Sequence, residues 1–112
     1  MTIFRLFLCI ILAGISIYTG ITIGEYGTNL VPLFFGEMTT FSWQGQFNFD
    51  FMTFLLLSGL WTAWRNGFTV GAIGLGVFAT VFGMMFLAAY LLYLSFQTDG
   101  DIRRMLLGVH AS

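Results

Sequence analysis

Residues 6–24 read LFLCIILAGISIYTGITIG, a run of 19 residues without a charge. As an α-helix this run would be about 29 Å long, which is the thickness of the hydrocarbon core of a bilayer. A signal peptide would also place a short basic segment, here Arg5, before an apolar core. The run is long for a signal peptide, however, and it lacks an A-x-A cleavage site. We therefore predict a retained transmembrane helix over residues 4–24.

The composition of the whole chain agrees with a membrane protein. The 112 residues include four Arg, no Lys and five Asp or Glu, so that 8% are charged, while 58% are hydrophobic and the mean hydropathy is +0.91. About a quarter of a soluble domain is charged, and a disordered chain needs low hydrophobicity. A net charge of -1 without a basic run excludes nucleic acid as a partner. The lipid bilayer is the partner that remains.

Two further spans are predicted from the gaps between charges. The second covers residues 47–64, with Asn48 as N-cap, Asp50 in the first turn and Arg65 in the last. The third covers residues 68–96, which would form about 43 Å of helix and imply tilt or projection beyond the lipid. The turn at residues 65–67 is short, so these spans are expected to form a tight antiparallel hairpin.

The segments outside the spans are also apolar. Residues 25–46 form a long loop with Pro32 and Gly36 as breakers, and we expect it to lie in the interface or to re-enter the bilayer. The tail, residues 97–112, repeats apolar residues at helical spacing from Ile102 to Val109, which predicts a short amphipathic helix on the membrane, although the tail could equally be partly disordered. The predicted fold is thus an all-α single membrane domain with three transmembrane helices.

Three spans would place Arg5 and Arg65 on one side of the membrane and Arg103 and Arg104 on the other. The loop opposite Arg5 and Arg65 contains acids and no cation. We therefore expect a cytoplasmic N-terminus, an external C-terminus and a location in a bacterial inner membrane.

Small residues recur at helical spacing in the third span. Gly71, Ala79 and Gly83 lie on one row, and Gly76 belongs to an adjacent row. Such rows allow close helix packing within lipid. Contact with the protein's own helices and a homo-oligomer interface both fit, and we favour the first because three spans need internal packing.

Three carboxylates, those of Glu25, Glu37 and Asp50, are predicted on one side without a positive partner. Burial near lipid raises the pKa of such a group and makes it a proton donor at neutral pH. Glu37 lies in the most apolar part of the loop, and Asp50 opens span two. These two are the candidate catalytic residues, and the candidate binding residues around them are Asn48, Trp43 and Tyr26.

Metals and cofactors are not expected. Cys9 is the one cysteine and lies in an apolar run, which excludes a disulfide within the chain and a cysteine-rich metal site. His110 is the one histidine, and its place near the end provides no axial ligand within a span. We expect a small buried or lipid-facing thiol and a solvated tail imidazole.

One stretch of sequence resembles a known family. Asp50 opens span two, residues 57–61 (LSGLW) and Arg65 follow, and the last span ends in 88–94 (AAYLLYL). These features resemble a family of small bacterial multi-pass membrane proteins of unknown function that is sometimes grouped with integral-membrane terpene cyclases. The resemblance implies membrane-level acids that protonate an isoprenoid. The chain has about half the length of those cyclases, so an active form would need a dimer or would not exist.

Two functions are consistent with these features. The first is a non-enzymatic accessory subunit or homo-oligomer that acts by helix packing, with another membrane protein or a second copy as partner. The alternative is a membrane-embedded acid catalyst, or binder of a lipophilic, isoprenoid-like substrate, that uses Glu37 and Asp50. A small multidrug exporter is rejected because the first span contains no acid, and ion translocation is disfavoured because no charge lies in the centre of a span.

Overall fold

The computed structural model describes residues 1–27 and 31–111, which form helices and no strand. The prediction of an all-α fold is confirmed. The helices are α1 (Thr2–Tyr26), α2 (Val31–Met38), α3 (Trp43–Arg65), α4 (Val70–Phe82), α5 (Met84–Gln97) and α6 (Ile102–Leu107), and a 3₁₀ turn, Gly108–His110, follows α6.

Within the described residues, one helix is long and apolar enough to cross a membrane, namely residues Thr2–Glu25 of α1. A signal sequence near an N-terminus has the same properties. Helix α3 has 23 residues, but its first turn, WQGQ, is largely polar. Helices α4 and α5 are apolar but have only 13 and 14 residues. Length and composition therefore give one candidate span.

The single helix predicted over residues 68–96 is wrong, because the chain reverses at Gly83. Gly83 adopts φ 60° and ψ -130°, a conformation that is open essentially to glycine alone. It contacts Leu55 and Phe51 of α3, whereas Tyr90, seven residues later, bonds Arg65 at the end of α3. Helix α5 therefore returns toward the end of α3 from which α4 started, and neither tilt nor projection is needed.

The reversal brings the two termini and all four arginines to one end of the molecule, which we call the arginine end. Arg5 of α1 donates to the Ser95 hydroxyl (3.0 Å) and to the Ser95 carbonyl oxygen (2.7 Å) of α5. Arg65 donates to the carbonyl oxygens of Met105 and Arg104 in α6. The prediction that Arg103 and Arg104 lie opposite Arg65 is therefore wrong.

The core is thin and built largely from small residues. Ala72, Ala79 and Ala88 are buried in α4 and α5, and Leu8 and Leu94 are the largest fully buried apolar side chains. Gly76 of α4 faces Gly59 of α3 so closely that a Cβ on Gly76 would lie 2.7 Å from the Gly59 carbonyl oxygen. Small side chains thus let the α3 and α4 backbones touch, as they do in helix pairs within membranes.

The loop predicted over residues 25–46 is partly helical. Helix α1 extends to Tyr26, α2 occupies Val31–Met38, and α3 begins at Trp43 rather than at residue 47. Ser42 is the N-cap of α3 and accepts a hydrogen bond from the Gly45 N–H (3.1 Å). The predicted N-cap role of Asn48 is wrong, because the helix has already made more than a turn before it.

The C-terminal helix is present, but it does not lie free. Met105 of α6 is 3% exposed, and Trp61 of α3 donates to the Leu106 carbonyl oxygen (3.0 Å). His110 is exposed, yet its ring stacks on Trp64 with 4.2 Å between the centroids and lies 2.9 Å from the Trp64 carbonyl oxygen. Helix α6 is therefore docked on the end of α3, and His110 is not a freely solvated tail residue.

Candidate functional site

Glu37 lies in a small cavity between α2 and the start of α3. The cavity measures about 320 Å³ and is lined by Leu33, Phe34, Glu37, Gln44 and Asn48. Gly45 packs directly against the Glu37 carbonyl oxygen, and a Cβ at position 45 would overlap that atom. This close approach fixes α2 on α3 and holds the half-buried Glu37 side chain beside the two amides.

Both amides of this cavity are used inside the protein. Asn48 donates from Nδ2 to the Phe34 carbonyl oxygen (3.1 Å), and its Oδ1 accepts from Gln44 Nε2 (2.9 Å). Within the described residues, the Glu37 carboxylate takes part in no hydrogen bond. The cavity lining therefore offers an incoming molecule the Glu37 carboxylate, the Gln44 amide oxygen and the apolar side chains of Leu33 and Phe34.

The other predicted members of this site lie elsewhere. Asp50 is exposed, and two residues of helix rotate it about 200° from Asn48, to the opposite face of α3. Trp43 is 78% exposed and packs only loosely on Phe47, with 6.4 Å between ring centroids. Tyr26 ends α1, and its side chain lies outside the described part of the chain. The structure thus joins Glu37 to Asn48 and separates both from Asp50.

The predicted helix-packing residues fall into two groups. Ala79 is completely buried, Gly76 faces Gly59, and a Cβ on Gly83 would lie 3.0 Å from a Leu55 methyl carbon. Gly71 has no neighbouring atom within 4 Å of a Cβ built on it. Gly76 and Gly83 thus contact α3 of the same chain, Ala79 is buried inside the protein, and Gly71 is open.

The partners of these glycines on α3 were missed. Ser58 and Thr62 stand four residues apart, as do Gly59 and Ala63, and both pairs form rows of small residues like those recognised in α4. Thr80 of α4 lies at the same contact, because its Oγ1 donates within α4 to the Gly76 carbonyl oxygen (3.0 Å) and lies 3.4 Å from the Leu55 carbonyl oxygen of α3. The signal was therefore present in the spacing of α3, next to the residues that carried the family resemblance.

The polar cluster at the arginine end was also missed. Arg65 is 6% exposed, and besides the α6 carbonyls it donates to the Tyr90 hydroxyl (3.2 Å) and to Asn66 Oδ1 (3.3 Å). The carbonyl oxygens at the end of a helix carry partial negative charge, so they suit a guanidinium. Arg65 therefore ties α3, α5 and α6 together, which no spacing in the sequence indicates.

The described residues contain no group of three or more His, Cys, Asp or Glu side chains that would hold a metal ion. Comparison with known protein families, with curated proteins and with solved structures gives no match for this chain.

Proposed function

We propose that this chain is a small integral membrane protein that acts without catalysis, as a helix-packing subunit joined through α1 to a second copy or to another membrane protein. The observation that carries the proposal is the exposure of α1. Only 6% of its most apolar 18-residue window is buried inside the protein. An apolar surface of this length needs lipid or protein around it.

The contacts of α1 support a retained helix rather than a cleaved signal sequence. Leu8 is 2% exposed against the rest of the protein, and the Arg5 guanidinium carbon lies 4.0 Å from the centroid of the Phe96 ring. Removal of α1 would leave Ser95 and the α5 surface uncovered. The helix thus belongs to the packed structure while its other face stays free.

We further propose that α1 and α3 cross the bilayer and that α4 and α5 form a hairpin that enters from the arginine end and returns to it. Helices α4 and α5 are about 20 Å long each, which is too short to cross. The turn at Gly83 is buried, its N–H bonds Ala79 and its carbonyl oxygen bonds Leu87. A break in the helix at membrane depth is tolerated under such conditions.

The arginine distribution gives the orientation. Four arginines lie at the arginine end, and the opposite end of the molecule carries Glu25 of α1, Glu37 of α2 and Asp50 of α3. Positive residues accumulate on the cytoplasmic side. We therefore propose that the arginine end, with both termini, lies in the cytoplasm. The proposal that the bilayer is a bacterial inner membrane rests on the family resemblance alone.

Membrane placement is tested by alkaline extraction and by reporters fused to each terminus of the full chain. We expect the protein to stay with the membrane and both reporters to be cytoplasmic. Release at alkaline pH would refute the membrane proposal. An external C-terminal reporter would refute the hairpin and restore three crossings.

The packing function is tested by the particle mass of the full chain in mild detergent. We expect an assembly that Gly20→Leu on the free face of α1 disrupts and that Gly74→Leu on α4 leaves intact. Both positions are open in the single chain, with no atom within 4 Å of a Cβ. A monomer without a protein partner would contradict the proposal.

Glu37 favours a second candidate, the acid catalyst or binder of a lipophilic substrate. Its carboxylate faces an apolar-walled cavity, whereas Asp50 lies on the other face of α3. A catalyst would therefore depend on Glu37 alone. Glu37→Gln should then abolish the cellular function while Asp50→Asn preserves it, and equal effects of the two variants would exclude this reading.

A further inference from the structure

A groove runs between α3 and the first turn of α5, away from the Glu37 cavity. It measures about 510 Å³, and its lining includes Phe51, Phe54, Ser58 and Trp61 from α3 and Met84 and Leu87 from α5. The α3 residues extend over ten positions, which corresponds to about 15 Å along the helix axis. The reversal at Gly83 creates the groove, because it turns α5 back across the face of α3.

One residue of the groove lining, Ser58, has a polar atom without a partner in the described part of the chain. No charged side chain lines the groove, and the Trp61 indole N–H already donates to Leu106. The Ser58 Oγ is buried and has no hydrogen-bond partner within the described residues. A buried hydroxyl without a partner keeps its full desolvation penalty, so it favours any molecule that supplies a partner.

A hydroxyl without a partner is unusual for a serine in a helix. The hydroxyl of a serine or threonine in a helix ordinarily donates to the carbonyl oxygen three or four residues before it. Thr62 does so, because its hydroxyl donates to the Ser58 carbonyl oxygen (2.9 Å). The Ser58 hydroxyl bonds neither the Phe54 nor the Leu55 carbonyl oxygen, and the Thr80 Oγ1 of α4 lies 3.4 Å from the Leu55 oxygen. The Ser58 hydroxyl hydrogen is thus not committed to an acceptor inside the described residues.

We propose that this groove binds a lipophilic molecule that carries a carbonyl oxygen. Aromatic and aliphatic side chains accept the apolar body, and the Ser58 hydroxyl donates to the carbonyl. A ligand hydroxyl or amine would bring a donor of its own, and the groove lining offers no second polar side chain to receive it. A plain hydrocarbon would leave Ser58 unpaired.

The Ser58 oxygen is covered by its surroundings, so binding requires a small rearrangement. Rotation of Ser58 about χ1 is the movement that would turn the hydroxyl toward the groove. Entry from the bilayer rests on the membrane placement proposed above, which alkaline extraction tests separately.

The test uses photolabelling of the full chain in phosphatidylcholine nanodiscs with benzophenone, an aromatic ketone that inserts into nearby C–H bonds on irradiation. Fluorenone and fluorene compete as a matched pair that differs in the carbonyl. We expect labels on Met84 or Leu87 and a three- to tenfold preference for fluorenone, the value of about one neutral hydrogen bond.

Ser58→Ala should abolish that preference, whereas the control Ser16→Ala on α1 should retain it. Comparing the fluorenone-to-fluorene ratio between variants removes any difference in partition into lipid. Equal competition by the two compounds in the natural protein would show a groove that takes hydrocarbon alone and would overturn the proposal. Crosslinks from the groove to a second copy would overturn it as well. If the chain stays with the membrane and still forms its assembly in mild detergent, either of these two results would leave the proposed function standing while the groove proposal fails.

Discussion

Replacement of Gly59 by alanine tests whether backbone contact between α3 and α4 holds the fold together. A Cβ on Gly59 would overlap the Thr80 hydroxyl and lie 2.7 Å from the Gly76 carbonyl oxygen. Thr80 can rotate, but the carbonyl belongs to the α4 backbone. Restoring the 3.4 Å of an ordinary contact requires the two helices to separate by about 0.7 Å there.

The expected loss follows from this separation. A radial gap of about 0.5–1 Å forfeits about a quarter to a half of the dispersion energy at each contact, and overpacking in cores costs about 1–3 kcal/mol. Alanine gains about 1 kcal/mol over glycine in a helix, which offsets part of this. We expect Gly59→Ala to lower the free energy of unfolding by up to about 2 kcal/mol.

Gly74→Ala is the matched control, because Gly74 is a helical glycine of α4 with no atom within 4 Å of its Cβ. Here the helix propensity acts alone, so the variant should be more stable by up to about 1 kcal/mol. Equilibrium unfolding in mixed micelles of dodecylmaltoside and SDS, followed by circular dichroism, measures both. If the two variants unfold alike, the α3–α4 backbone contact does not exist as described.

Three further substitutions test other contacts by the same unfolding measurement. Gly83→Ala places a side chain at φ 60°, ψ -130° and should cost at least about 1–2 kcal/mol; an unchanged stability would mean that α4 and α5 are not broken there. Arg65→Lys loses the planar fork that bonds the α6 carbonyls and should cost about 2 kcal/mol, with faster hydrogen exchange in α6 and not in α4; unaltered exchange would show that Arg65 does not hold α6. Ser58→Ala removes an unpaired buried hydroxyl and should stabilise the ligand-free protein by about 1 kcal/mol; a loss of similar size would reveal an internal partner for Ser58.

The sequence predicts α1 well because its boundaries depend on a simple balance. Charged groups are costly in an apolar environment, so the uncharged run between Arg5 and Glu25 marks the helix closely. The start of α3 was harder to predict, since Ser42 and Asn48 are both good N-caps. Packing of Gly45 against the Glu37 carbonyl oxygen decides between them, and that contact joins two separate helices.

The break at Gly83 could not be predicted for a related reason. A glycine inside a helix costs only about 1 kcal/mol and often serves close packing instead, as Gly76 does. The excessive length of the 68–96 segment was a valid signal, but tilt explains length as well as a reversal does. The reversal becomes visible only through Tyr90, which meets Arg65, and this contact requires the fold.

The candidate site shows how an error in a helix start propagates. With Asn48 as N-cap, Asp50 would stand in the first turn beside Glu37. With the helix already formed from Trp43, the two-residue step from Asn48 turns Asp50 to the far side. Glu37 and Asn48 remain together because the cavity between α2 and α3 includes both.

The reversal at Gly83 also changes the argument for orientation. With three crossings, two arginines would lie on each side of the membrane, so the positive-inside rule would give only a weak indication of the orientation. With α5 returning beside α3, Arg5 bonds Ser95, Arg65 bonds the α6 carbonyls, and Arg103 and Arg104 lie in that same helix. All four arginines then lie at the arginine end, and none lies at the opposite end. The backbone conformation of Gly83 thus decides that the proposed topology places both termini on the same side of the bilayer. To place the C-terminus on the other side, α5 would have to continue in the direction of α4, and Arg65 would lose its carbonyl partners in α6.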